Sequence, residues 1–270
     1  MIQVHRPPPP DAVALKYREL VRIEKKAVDP TAPTKEELGE AYQQFKELLF
    51  IDQHKKCCYC ESRVELKGSP VEHFRPKQKA ARGPGFPDYG YWWLAFTWEN
   101  LLFACRTCNT CHKKTKFPLM PGSGVLMPHE EPEGTEKPLL LDPAGLHERR
   151  RHIQFRPVRI QGKGKERWMP EGLTPEEIQT IADLGLDRPG LLELYDDHAA
   201  DIERELKDVR DAARDDHRAQ MLHVWHGLVE RFLTPRREFI ALAFDVIEHR
   251  LPAEERKRLD LPELPDPKLL

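Results

Sequence analysis

Cys57-Cys58-Tyr59-Cys60 and Cys105-Arg106-Thr107-Cys108-Asn109 bracket a third stretch, Val71-Glu72-His73-Phe74-Arg75-Pro76-Lys77, and these three segments decide the fold. All 6 cysteines fall in the two flanking clusters, with Cys111 completing the second. A disulfide framework spreads its cysteines through a chain, whereas a Cys-x-x-Cys knuckle lets one tight turn aim two thiolates at one ion. Two such knuckles, Cys57 with Cys60 and Cys105 with Cys108, predict a closed four-sulfur zinc site. A closed tetrahedron has no position for water, so this zinc is expected to supply folding energy rather than chemistry. Cys108 and Cys111 have the same spacing and give a competing register; the first is preferred because it leaves Asn109 directly after the knuckle. Cys58 is expected to point away from the ion and pack as a small apolar side chain.

Outward from this block, 270 residues exceed the usual size of one domain, and 39% hydrophobic with 33% charged residues is enough for a core under a heavily charged exterior. The net charge of −2 hides an asymmetry. The zones Lys55 to Arg82 and Arg106 to Lys116 are basic, while Glu171 to His217 is acidic, so a local basic face can meet phosphates beside an acidic flank. No run of eighteen apolar residues exists, which excludes a spanning helix, and Met1 to Asp11 carries four prolines rather than the apolar stretch of a signal peptide. The expectation is a soluble, cytoplasmic protein with no membrane partner.

The remaining elements are read from periodicity and punctuation. Pro7 to Pro10 read as an extended arm, and Val13, Tyr17, Leu20 and Val21 predict a helix over Asp11 to Ala27. Thr34 with Glu37 forms a capping-box pattern opening a second helix that carries Leu38, Tyr42, Phe45, Leu48 and Leu49 and ends near Gln53. Tyr91 to Phe96 fits a short helix or a buried strand, and Pro118 to Lys137 a connector. His152 to Ile160 and Glu166 to Met169 predict a hairpin about Gly162 and Gly164. Thr174, Pro175 and Glu177 open a helix to about Leu184. Beyond Arg188 the chain reads as helical to Arg250, with a break at Thr234-Pro235, an apolar stripe of Leu191, Leu194, Tyr195, Ile202, Leu206 and Val209, and a frayed tail after Leu251. The predicted organisation is α+β: a helical arm over 1–54, a core over 55–145, and a hairpin with a helical region over 146–270.

The block from Cys57 to Pro118 resembles HNH (ββα-metal) endonucleases, whose signature is an Asp-His or Glu-His pair, a mid-motif Asn-Leu, and a final Cys-x-x-Cys-Asn ending in lysine. Glu72-His73, Asn100-Leu101, Cys105 to Asn109, and Lys113, Lys114 and Lys116 carry it. A longer likeness adds Phe74 to Lys77, the Tyr91 to Trp98 run, Leu139 to Pro143 and Ile181 to Arg188. It is similar to the HNH nuclease component of Septu-type and some retron antiphage systems. The resemblance implies a small zinc-stapled ββα-metal core within a predominantly helical chain, with His73 as general base. It assigns Glu72 and Asn109 to one Mg²⁺ or Mn²⁺, and has Asn100 orient the loop that carries His73. Arg75, Lys77, Lys113, Lys114 and Lys116, with Lys79, are then the candidates for phosphate contacts. Two departures stand out: Glu72 takes the place where many members have Asp, and Cys111-His112 fills a usually variable stretch, which makes His112 a candidate extra ligand.

The expected partners are DNA or RNA and, by the Septu likeness, an ATPase subunit that recruits or restrains the nuclease. The alternative from a different class is a non-catalytic zinc module that binds nucleic acid or protein.

Overall fold

In the computed structural model, the described residues are 4, 35–127, 130, 132, 136–145, 153–160 and 166–265. The polyproline arm, the helix over Asp11 to Ala27, the Thr34 cap and the glycine turn of the hairpin lie outside them. The chain divides into two compact units. One comprises Val4–Tyr59 and Arg63–Gly145; the other comprises Leu146–Leu270 with Cys60–Ser62 and Met1–Gln3.

The first unit is organised by very short elements. The expected continuous helix before the cysteines is broken into α1 (Lys35–Leu38), a 3-10 turn (Ala41–Phe45) and α2 (Lys46–Asp52). Gly39 causes the break, adopting φ +65, a left-handed conformation that ends a helix. Tyr42, Phe45 and Leu49 still face inward. Two three-residue strands, β1 (Val71–His73) and β2 (Leu101–Phe103), pair antiparallel with Val71 opposite Phe103 and His73 opposite Leu101. All six residues are buried. The aromatic run between them forms a 3-10 turn over Trp92–Leu94 rather than a strand, with each of its side chains inside. Trp92, Trp98, Tyr91, Phe103 and Phe117 are the large apolar side chains this unit buries completely. Gly90 sits against the backbone of Gln78, 2.4 Å from where a Cβ would stand, so only glycine lets these two segments approach.

The second unit has a hairpin of β3 (Gln154–Arg159) and β4 (Glu166–Glu171), paired from Gln154 opposite Glu171 to Arg159 opposite Glu166. The capping box is present: Thr174 Oγ1 accepts from Glu177 N at 3.3 Å and Glu177 Oε2 from Thr174 N at 3.2 Å, opening α3 (Pro175–Leu184). Gly185 closes that helix with φ 57. The long helical region is three helices, α4 (Pro189–Arg214), α5 (Arg218–Phe232) and α6 (Ile240–Arg250). The break before α5 was not expected from proline or glycine; Asp216 turns the chain there with φ 58. Leu191, Tyr195, Ile202, Leu206 and Val209 of α4 are buried, but Leu194, expected in the same stripe, is 48% exposed. The tail is not frayed where it is described: α7 spans Ala253–Arg258, Leu261 is buried, and Trp225 Nε1 donates to Pro262 O at 3.1 Å.

Candidate active site and metal centre

Cys57, Cys60, Cys105 and Cys108 present sulfurs that all lie within 4.8 Å of one another. Four sulfurs ~2.3 Å from a central ion would stand ~3.8 Å apart, so the cluster could hold a tetrahedral metal such as zinc. Cys108 N donates to Cys105 Sγ at 3.2 Å, an N–H···S bond of the kind a knuckle turn makes. Cys111 is exposed and stands outside the cluster, and Cys58 is buried without joining it. The four are the pair of knuckles with the spacing preferred above.

From within the second knuckle the chain winds as a π-helix, Thr107–Lys113, closed by the bond from Lys114 N to Asn109 O at 2.7 Å. This five-residue winding is rare and recurs at functional sites. It turns Lys113 inward. Lys113 is fully buried, its ammonium lies 2.7 Å from Glu72 Oε1, and it donates to the backbone carbonyl of His73 at 3.1 Å. Tyr59, from inside the first knuckle, donates its hydroxyl to the same Glu72 Oε1 at 2.9 Å. Burial and the Glu72 carboxylate beside it push the Tyr59 phenol well above 10, so it keeps the proton it donates.

Strand β1 ends at His73, so the alternation of the strand does not continue past it. His73 is 8% exposed, and its Nε2 lies 2.9 Å from Ala95 O. A carbonyl can only accept, so Nε2 carries the proton and the lone pair of a neutral ring falls on Nδ1. Burial, with Lys77 nearby, lowers the imidazole to about 3. The Tyr42 ring meets it edge-on at 4.6 Å, and the Lys77 ammonium sits 3.7 Å over the Tyr42 ring and bonds its hydroxyl.

Asn100, in the turn leading into β2, clamps the backbone beyond His73. Arg75 N donates to its Oδ1 at 2.7 Å, and its Nδ2 donates to Arg75 O at 3.0 Å and Leu94 O at 3.1 Å. Asn109 is half-buried one residue after Cys108, its backbone held by Cys105 O. Gln53 at the end of α2 bonds both sides of the Phe103 peptide, at 2.7 and 2.8 Å, and fixes β2.

The expected phosphate contacts separate into two groups. Lys114 and Lys79 are exposed and Lys116 is half-buried, with Lys79 paired to Asp88 at 2.9 Å. Lys113 does not face solvent, and Arg75 is mostly enclosed, bonded to Glu136 at 3.2 Å and stacked near Phe74, Tyr91 and Phe117. Glu136 also accepts from Tyr91 and lies 3.9 Å from Arg82, so one buried carboxylate balances two guanidiniums. Sequence reasoning missed Tyr59, Gln53, Tyr42 and Glu136 as parts of this site. Tyr59 had a signal, since it lies within the knuckle; Glu136, 61 residues from Arg75, had none.

No family model and no solved structure matches the chain. It is 35% identical over 173 residues to a protein of Bacillus mycoides (strain KBAB4) named Septu protein PtuB, covering 59% of this chain and 56% of that protein. The chain therefore matches little more than half the length of its relative. Over those aligned residues the chain is similar to that Septu protein.

Proposed function

We propose that the chain is a metal-dependent HNH endonuclease that hydrolyses phosphodiester bonds as an effector of antiphage defence. The observation that carries this reading is His73: a strand-end imidazole held in one tautomer by Ala95 O, following Glu72 in the chain and tied through its carbonyl to Lys113 of the cysteine-anchored helix. The likeness to Septu protein PtuB supports the defence role.

Phosphodiester hydrolysis needs a base for water, charge neutralisation at the phosphate, and in-line geometry. Nδ1 of His73 takes the proton from the attacking water; Nε2 cannot, because it already carries one for Ala95 O. Glu72 and Asn109 offer carboxylate and amide oxygens, a donor set suited to a hard ion such as Mg²⁺ or Mn²⁺. Tyr59 and Lys113 both bond Glu72 through Oε1, so Oε2 is the oxygen proposed to coordinate. When bound, the ion supplies charge stabilisation of the phosphate and the leaving oxygen. Asn100 positions the His73 loop through the Arg75 backbone. The exposure of Lys114 and the partial exposure of Lys116 support a role in phosphate contact, whereas Arg75 and Lys113 are paired inside the protein. An ATPase subunit of a Septu-like complex is the proposed protein partner.

Purified protein incubated with Mg²⁺ or Mn²⁺ against supercoiled DNA, single-stranded DNA and bulk RNA should cleave at least one of them. His73→Ala should retain its zinc and fold and lose cleavage by about 10²–10⁴-fold. Undiminished cleavage by that variant removes His73 from the chemistry. Metal-independent binding without cleavage by the wild type favours the non-catalytic zinc module.

A further inference from the structure

We propose that the two arms of the four-cysteine cluster position Glu72 for metal binding: Tyr59, from the first knuckle, and Lys113, from the helix after the second, hold Oε1 so that Oε2 alone faces the ion. The inference rests on the assignment of Glu72 as a ligand of the catalytic ion.

The two donors come from opposite sides of the cluster and converge on one oxygen. Tyr59 lies between Cys57 and Cys60, and its hydroxyl reaches Glu72 Oε1 at 2.9 Å. Lys113 lies five residues beyond Cys108 and reaches the same oxygen at 2.7 Å. A free carboxylate rotates about its last bond and can offer either oxygen or both. Two directional donors on one oxygen stop that rotation and select a single coordinating atom. Lys113 also donates to His73 O at 3.1 Å, so one ammonium ties the proposed metal ligand to the backbone of the proposed base. Burying an ammonium completely is costly unless it is paired and bonded, and here both conditions are met within the site. Outer partners of this kind orient ligands in metal sites, and their loss typically weakens metal binding 10–100-fold. The cysteine cluster thus contributes to the chemistry at a distance, as the frame from which both donors project.

The test is Mn²⁺ titration of the full-length, zinc-loaded protein, reading free Mn²⁺ by electron paramagnetic resonance, with zinc content and melting temperature measured alongside. Wild type should bind Mn²⁺ beyond the zinc site, and Glu72→Gln should lose that binding. Tyr59→Phe removes one hydrogen bond without changing charge and should weaken Mn²⁺ about tenfold at unchanged zinc content. Lys113→Met should also weaken it, although it removes a positive charge from beside the ion. Should Lys113→Met melt before the titration, Tyr59→Phe decides alone. Wild-type affinity in Tyr59→Phe, or tighter binding in Lys113→Met, overturns the positioning role while leaving the endonuclease assignment intact. A wild type with no Mn²⁺ site overturns the Glu72 assignment itself.

Discussion

A buried histidine that lacks a full set of partners is penalised for taking up a proton, and two residues here feel that penalty for different ends. At His73 it keeps one lone pair available on Nδ1. At His198, on α4, the ring packs against Phe232 and Phe239, and Nε2 is buried without a hydrogen-bond partner among the described residues. Burial lowers His198 to about 4, against the opposing pull of Asp201 and Glu61. The unfolded chain binds this proton near pH 6.5 and the folded chain only near 4, so the contribution is complete above about 6.5 and is lost as pH falls toward 4. His198→Phe should therefore flatten the loss of stability between pH 6.5 and 4 by on the order of 2–3 kcal/mol in urea unfolding. Parallel wild-type and variant curves across that window would exclude His198 as the source. At this scale the four clustered cysteines were legible, because their spacing and order in the chain pair them. Long-range partners were not, because a buried ion pair such as Arg75 with Glu136 leaves no pattern in either segment.

Helix α3 was legible to the residue because its start is chemical: Thr174, Pro175 and Glu177 each satisfy or remove a donor that a helix terminus leaves open. Thr174→Ala should cost about 1 kcal/mol, read as a fall in melting temperature, whereas Thr174→Ser should cost little. An unchanged melting temperature in Thr174→Ala would show that the cap does not limit stability. Other elements were misread or left open for reasons as specific. The stretch from Lys35 to Asp52 has helical periodicity throughout, yet Gly39 interrupts it, and periodicity does not register one left-handed residue. The break at Asp216 was hidden in the same way. The Tyr91 to Phe96 run is buried on every side, which removes the alternation that separates strand from helix. The π-helix after Cys108 was unforeseeable from propensity, and with it the inward turn of Lys113.

Taken as a whole, the chain combines a unit of short strands and turns with a unit of hairpin and long helices. The acidic amphipathic stretch of α4 is mostly accounted for by packing, since its apolar residues are buried against its own unit except at Leu194. Among the described residues no helix is long and apolar enough to cross a membrane. Three-residue strands cannot hold a core by their ladder bonds alone, so the first unit depends on its aromatic interior. The central claim is that this frame brings Glu72, His73 and Asn109 to one hydrated cation. It is tested most directly by anomalous diffraction from crystals grown with Mn²⁺, at the zinc and manganese edges. The account predicts a zinc peak among Cys57, Cys60, Cys105 and Cys108, and a separate manganese peak on the oxygens of Glu72 and Asn109, with His73 Nδ1 facing a water on that ion. Manganese absent from Glu72 and Asn109, or a zinc peak at Cys111, would contradict it.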